Sequence, residues 1–189
     1  AGQTWLGGNG YQRSYNGRLR LRRHLVRGRV GARYEYSRID ALSETYAYVN
    51  GNRHRLRLSS RQRAMGWGVK GHYEWEFNDR RDLHTATAFT SYSPVRHSLA
   101  VAASRRWGSH WRTRLTTDYR YSQYRDINRD SGENVRRRDD RLRAGVSLQY
   151  ALTRRLDMTV DYEYTDNRSN VSRYRYTRHQ MMLGAVFIY

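Results

Sequence analysis

The stretch WGVKGHYEWEF, residues 67–77, decides how the chain is read. Trp67, Val69, Gly71, Tyr73, Trp75 and Phe77 fall on one face, and Gly68, Lys70, His72, Glu74 and Glu76 on the other. A period of two is that of a β-strand. Three further segments obey the same rule: VGARYEYSR from Val30, WRTRLTTDYRY from Trp111 and LDMTVDYEYT from Leu156. Each runs from a small or aliphatic start into an aromatic pair: Tyr34 and Tyr36, Tyr73 and Trp75, Tyr119 and Tyr121, Tyr162 and Tyr164. Between them lies a second family of segments: RLRL at 18–21, RLRL at 55–58, SLAV at 98–101, RLRA at 141–144 and MLGA at 182–185. Both families recur about every 40 residues, a period that helical solenoids and propellers also show. A solenoid needs a 3.6-residue period, which is absent, and a propeller blade needs four short strands where these units show two long ones.

The connections alternate. Tight turns follow the second family, near Arg27, Gln62, Ser109 and Arg154, and long polar loops follow the first, over 39–52, 79–95, 126–138 and 166–173. Short turns at one end and long loops at the other mark an up-and-down barrel of the outer-membrane kind.

Composition bounds the alternatives. The chain has 189 residues, one domain over 1–189 and no cysteine, so disulfides and thiolate metal sites are excluded. Ala1 stands where an initiator Met would, so any targeting segment has been removed or lies outside the sequence. The formal net charge of +19 suggests a nucleic-acid binder at first pass. A 13% aromatic content argues against a disordered basic chain. No long apolar run exists for a transmembrane helix, but a transmembrane strand needs only alternate apolar residues. None of the seven histidines has metal-ligand spacing with another, and no cofactor is expected.

Which face meets which solvent separates a soluble sandwich from a membrane barrel. The apolar face carries Leu, Val, Ala, Gly and Thr, thin for a packed core but adequate against lipid. Its aromatics sit at two heights, the Tyr-x-Tyr pairs toward the long loops and Trp67, Trp107 and Trp111 toward the short turns, as two girdles would. The charged face then fills the interior. It holds Arg18, Arg20, Arg33, Arg55, Arg57, Arg112, Arg114, Arg141 and Arg143, with Glu74, Glu76, Asp118, Asp157, Asp161 and Glu163 as acidic partners. Glu74 and Glu76 are expected beside Arg53, Arg55 and Arg57, and Asp157, Asp161 and Glu163 beside Arg141 and Arg143. Arg23 and Arg105 fall in the lipid phase, but beside turns, where an arginine costs little.

The chain ends MLGAVFIY, Met182–Tyr189. This resembles the C-terminal β-signal of bacterial outer-membrane barrels, polar-x-Gly-x-x-aromatic-x-aromatic. Gly184, Phe187 and Tyr189 match it, and Met182 departs at the polar position. The repeat style resembles β-barrel porins and the C-terminal barrels of polysaccharide exporters. The resemblance implies an antiparallel up-and-down transmembrane β-barrel in the outer membrane. Its partners would be lipid, lipopolysaccharide and the barrel-assembly machinery, with an anionic solute or polysaccharide as candidate cargo and no nucleic acid. Nine strands are evident and single-chain bacterial barrels have an even number, so a tenth is sought in 1–9, at QTWLGG. Ten strands are favoured, eight are the alternative, and the end of a larger barrel is the third reading.

Three functions compete: a non-enzymatic barrel, either structural or a narrow anion channel; a barrel enzyme; and, last, a soluble basic nucleic-acid binder, which the net charge alone would suggest. His72 near Glu74 is the one dyad an enzyme could use, and a polar interior side chain is the simpler reading of it. No catalytic constellation is found.

Overall fold

In the computed structural model, residues 2–6, 9–84, 89–128 and 135–187 are described. They form one antiparallel meander. Its strands are β1 (Gly2–Leu6), β2 (Asn9–Leu25), β3 (Gly28–Ala41), β4 (Gly51–Ala64), β5 (Trp67–Arg80), β8 (Pro94–Trp107), β9 (Trp111–Asn128), β10 (Val135–Ala151), β11 (Leu156–Ser169) and β12 (Tyr176–Phe187). Each pairs with the next in chain order, and β6 (Leu83–His84) and β7 (Phe89–Thr90) make a small ribbon inside one long connection. The sequence expectation of ten strands holds, with the tenth found as β1.

Turn chemistry fixes the register at the short end. Met65 (φ 50) and Gly66 (φ 78) form a two-residue link with positive φ at both positions, the geometry that matches strand twist. It sets Ala64 opposite Trp67 and carries the in–out alternation of β4 onto β5 without a slip.

The polar connections are shorter than the sequence suggests. β9 runs to Asn128 and β10 starts at Val135, inside the expected 126–138 loop, and β11 continues to Ser169. Ladder hydrogen bonds join main-chain groups, so pairs such as Asp140↔Arg168 and Arg138↔Gln123 extend the sheet beyond its apolar band. The loss of apolar alternation was the end of that band, not of the strand.

The sheet curls onto its charged face. A single cavity on that face is lined from eight strands, by Arg20 of β2 through Arg141 of β10 to Glu163 of β11. Ser37, Glu35, Glu76, Asn78, Ser122 and Thr165 are buried there, while Leu19, Leu21, Leu58, Leu99, Leu115, Val160 and Leu183 stand exposed on the convex face. A soluble sandwich would bury the second set, and this chain buries the first. Among the described residues, apolar side chains are buried at Ile39, Val49, Pro94, Tyr124 and Val171, near the long connections.

The curl does not complete a ring among the described residues. β1 pairs only with residues 9–14 of β2, so the edge of β2 that faces away from β3 over Tyr15–Leu25, and the edge of β12 that faces away from β11, have no ladder partner among the described residues. β2 and β12 run in the same direction, each toward the short-turn end.

Candidate functional site

The concave face divides into two halves with different electrostatics. Toward the long connections, acids and arginines interlock across five strands. Glu35 receives Arg18 at 2.8 Å and holds Arg53 and Arg55 at 3.7 Å each. Glu74 accepts from Arg57 Nε at 2.6 Å and approaches Arg55 at 3.4 Å. Glu76 accepts from Arg55 at 2.7 Å, Arg96 at 2.9 Å and Asn78 at 2.8 Å. Register explains the convergence: Glu35 lies opposite Arg55, and Arg55 opposite Glu76, so one arginine bridges three strands.

Toward the short turns the balance changes. A cavity of about 630 Å³ is lined by ten cations, Arg20, Arg22, Arg29, Arg33, Arg57, Arg61, Lys70, Arg120, Arg141 and Arg143, against two carboxylates, Asp118 and Glu163. Arg143 meets Glu163 at 3.5 Å and Arg141 meets Asp118 at 3.4 Å, both long for ion pairs. Arg20, Arg33, Arg112 and Arg114 form no ion pair among the described residues. Excess positive charge in a concavity with low-dielectric walls concentrates anions.

The convex face carries a device that residue counting missed. Tyr34 Oη hydrogen-bonds His54 Nδ1 at 2.7 Å, Tyr73 bonds His97 Nδ1 at 2.7 Å and Tyr162 bonds His179 Nδ1 at 2.8 Å. At the equivalent place in the third repeat Tyr119 donates to Asp140. The second aromatics crowd the same histidines, Tyr36 at 5.2 Å from His54 and Tyr164 at 5.1 Å from His179 between ring centres. Tyr36 also donates to Asn52, Trp75 stacks along Phe77, and Tyr121 lies 6.5 Å from His97. The signal was in the sequence as RHRL at 53–56, RHSL at 96–99 and RHQM at 178–181. These histidines recur with the strand repeat, which metal-ligand spacing does not detect. At the short-turn end, Arg105 lies over the Trp107 ring at 4.0 Å and Trp67 at 6.0 Å, so an arginine on the apolar face rests on aromatic π-faces.

Comparison with known proteins gives a family. A family model described as Putative beta-barrel porin 2 matches residues 60–189, more than half of the chain. The chain belongs to that porin family. No curated protein matches it. Among solved structures it is similar to the ferric yersiniabactin uptake receptor FyuA of Yersinia pestis, at 13% identity and a TM-score of 0.40. That match covers 95% of this chain and 35% of the receptor, so the chain spans about a third of the receptor's length.

Within this porin-family sheet the predicted residues fall as follows. Arg18, Arg55 and Arg57 join Glu74 and Glu76 in the ion-paired half, together with Glu35, Arg53 and Arg96. Asp157 and Asp161 do not reach the arginines expected for them. Asp157 accepts from Gln149 at 2.6 Å, and Asp161 forms no ion pair among the described residues. The register sets them opposite Ala151 and Ser147, below Arg143. Gly184 faces Thr159, whose Oγ1 would lie 2.8 Å from a Cβ at that position, so glycine there admits a close approach of β11. Phe187 is exposed at the end of β12, and Tyr189 lies outside the described residues. His72 lines the basic cavity. No cluster of metal-ligating side chains exists among the described residues.

Proposed function

We propose that the chain forms a non-enzymatic outer-membrane barrel whose arginine-lined interior admits small anions. The observation that carries this is the 630 Å³ cavity with ten cations against two carboxylates. Family membership and the exposed apolar belt between Tyr and Trp girdles support the membrane setting. In lipid every main-chain polar group needs a partner, so the free edges of β2 and β12 must be satisfied by a closing strand. Arginines of the loop end, among them Arg136, Arg138 and Arg178, suit lipopolysaccharide phosphates, and Gly184, Phe187 and Tyr189 suit the assembly machinery.

A second reading has its own observation. The Glu35–Glu74–Glu76 network ties its arginines to carboxylates across the long-connection half, as a structural plug would. Planar-bilayer recording under a salt gradient separates the two. Anion-selective current that falls when Arg20 and Arg33, which line the cavity without an ion pair among the described residues, are replaced by Ser supports passage. Electrical silence, with loss of thermal stability when Arg55 of the network is replaced by Gln, supports the plug. Cation selectivity would contradict the interior assignment of the arginines.

A further inference from the structure

Three of the four aromatic pairs enclose a glutamate that points to the concave face: Glu35 between Tyr34 and Tyr36, Glu74 between Tyr73 and Trp75, and Glu163 between Tyr162 and Tyr164. Each meets an arginine. The third pair encloses Arg120 instead, and its cross-strand partner is Arg141. Where Glu35 faces Arg55, Arg120 faces another arginine. Like charges directly opposite destabilise a sheet, and the long 3.4 Å contact of Arg141 with Asp118 offsets that cost only in part.

The surroundings are those of a binding site. A cavity of about 290 Å³ opens beside this pair, toward the long connections, with Arg96 of β8 at its rim and Asp139 as its one carboxylate. Asp139 is occupied, since Arg137 holds it at 2.6 Å. Arg137 is in turn fixed between the rings of Tyr124 and Tyr174, 4.5 and 3.3 Å from their centres. Arg96 is held by Glu76. Arg120 forms no ion pair among the described residues, Arg141 has only the long 3.4 Å contact of its Nη2 with Asp118, and the buried Nε atoms of both have no hydrogen-bond partner.

We propose that the Arg120–Arg141 pair is the anion clamp of a binding site for a small organic carboxylate or phosphate. Two opposed guanidinium forks supply the paired N–H donors that a carboxylate or phosphate accepts. The tyrosine rings wall the remaining space, which is at the small end of ligand cavities and suits an anion of single-sugar size. A bound anion places negative charge where the other three repeats hold glutamate. The inference rests on reading the concave face as an anion-accepting interior, yet the site is built by β8 to β11 and the segment before β12, without the closing strand.

The test uses the whole chain folded in detergent and calorimetric titration with inorganic phosphate, glucose 6-phosphate and glucuronate. Saturable binding is expected, weakened at least about tenfold in Arg120→Gln and unchanged in Arg154→Gln at the opposite end. Arg120→Lys keeps the charge and loses the fork, so intermediate affinity is expected. It also guards against misfolding as the cause of any loss. Arg120→Gln should melt higher than wild type in anion-free buffer, because the opposed charge is gone. Absence of saturation with all three probes, equal weakening in Arg154→Gln, or wild-type affinity in Arg120→Lys would each overturn the clamp. Anion selectivity in bilayers without saturable binding removes this site and leaves the conduit. Saturable binding without selectivity removes the conduit and leaves the site.

Discussion

Glu76→Gln tests whether the ion-paired half of the interior is a cooperative network or a set of independent surface contacts. The Glu76 carboxylate is buried, with a relative exposure of 7%, and accepts from Arg55, Arg96 and Asn78 between 2.7 and 2.9 Å. Gln keeps the shape and one acceptor oxygen but removes the charge, leaving Arg96 without its acid. Arg55 retains Glu74 at 3.4 Å and Glu35 at 3.7 Å, so its loss is partial. Breaking a buried pair by removing one partner costs about 3–5 kcal/mol, and the retained contacts of Arg55 put the expectation near the lower end, about 3 kcal/mol. The internal control is Glu163→Gln. Its pair with Arg143 is 3.5 Å long and both side chains are more than a third exposed, so about 0–1 kcal/mol is expected. Reversible urea unfolding from lipid vesicles, followed by tryptophan fluorescence, reads both. Equal losses in the two variants, or a loss below about 1 kcal/mol for Glu76→Gln, would refute the reasoning. A buried network and an exposed pair cannot respond alike.

Two further outcomes are expected. Tyr73→Phe removes the hydrogen bond between Tyr73 Oη and His97 Nδ1, costing about 0.5–1.5 kcal/mol, and frees the ring from the tautomer that this bond selects; nitrogen chemical shifts of His97 that are the same in both proteins would sink the assignment. Burial raises the Asp82 carboxyl above its ordinary range, against hydrogen bonds from the Tyr92 amide, Ser93 and Ser91 that lower it. A raised acid favours its protonated form in the folded loop. Its contribution is therefore full below the unfolded value of about 3.9 and is lost as pH rises through the folded one. The Arg80–Ser93 connection should gain amide-exchange protection on acidification, and Asp82→Asn should abolish the gain; protection that falls with acidification would reverse the sign of the argument.

The strand phase was legible because lipid and water impose opposite demands on alternate residues. Val69, Tyr73 and Glu74 could each be assigned a face without knowing a single neighbour. Strand ends were not legible, because the ladder above the girdle joins residues such as Asp140 and Arg168, whose side chains carry no apolar signal. Pairing within the interior was legible only where the alternating pattern placed acid and base at the same height. Glu76 opposite Arg55 met that condition. Asp157 and Asp161 did not, since the register sets them below Arg143, and register is decided by turns rather than by charge. The Tyr–His contacts needed both pieces of information: the repeat, which the sequence shows, and the diagonal offset between strands, which only the sheet gives.

The same offset explains how a chain of net charge +19 keeps one interior with two characters. Up-running strands alone supply the acids of the ion-paired half, Glu35, Glu74 and Glu76, and down-running strands supply Arg18, Arg53, Arg55 and Arg96. Where both partners are present at one height, the arginines are held and the space between them is filled. Below the girdle the up-running strands turn to Gly31, Lys70, His72 and Arg114, and the down-running strands continue with Arg20, Arg22 and Arg61. No carboxylate of β3 or β5 remains there to draw those cations together. Like charges on neighbouring strands then hold each other apart, and small residues such as Gly31 and Ser59 leave the volume they vacate. The cavity thus sits where the acids of β3 and β5 stop at the girdle while the arginines do not, and the excess of cations behind the proposed anion passage comes from the same omission.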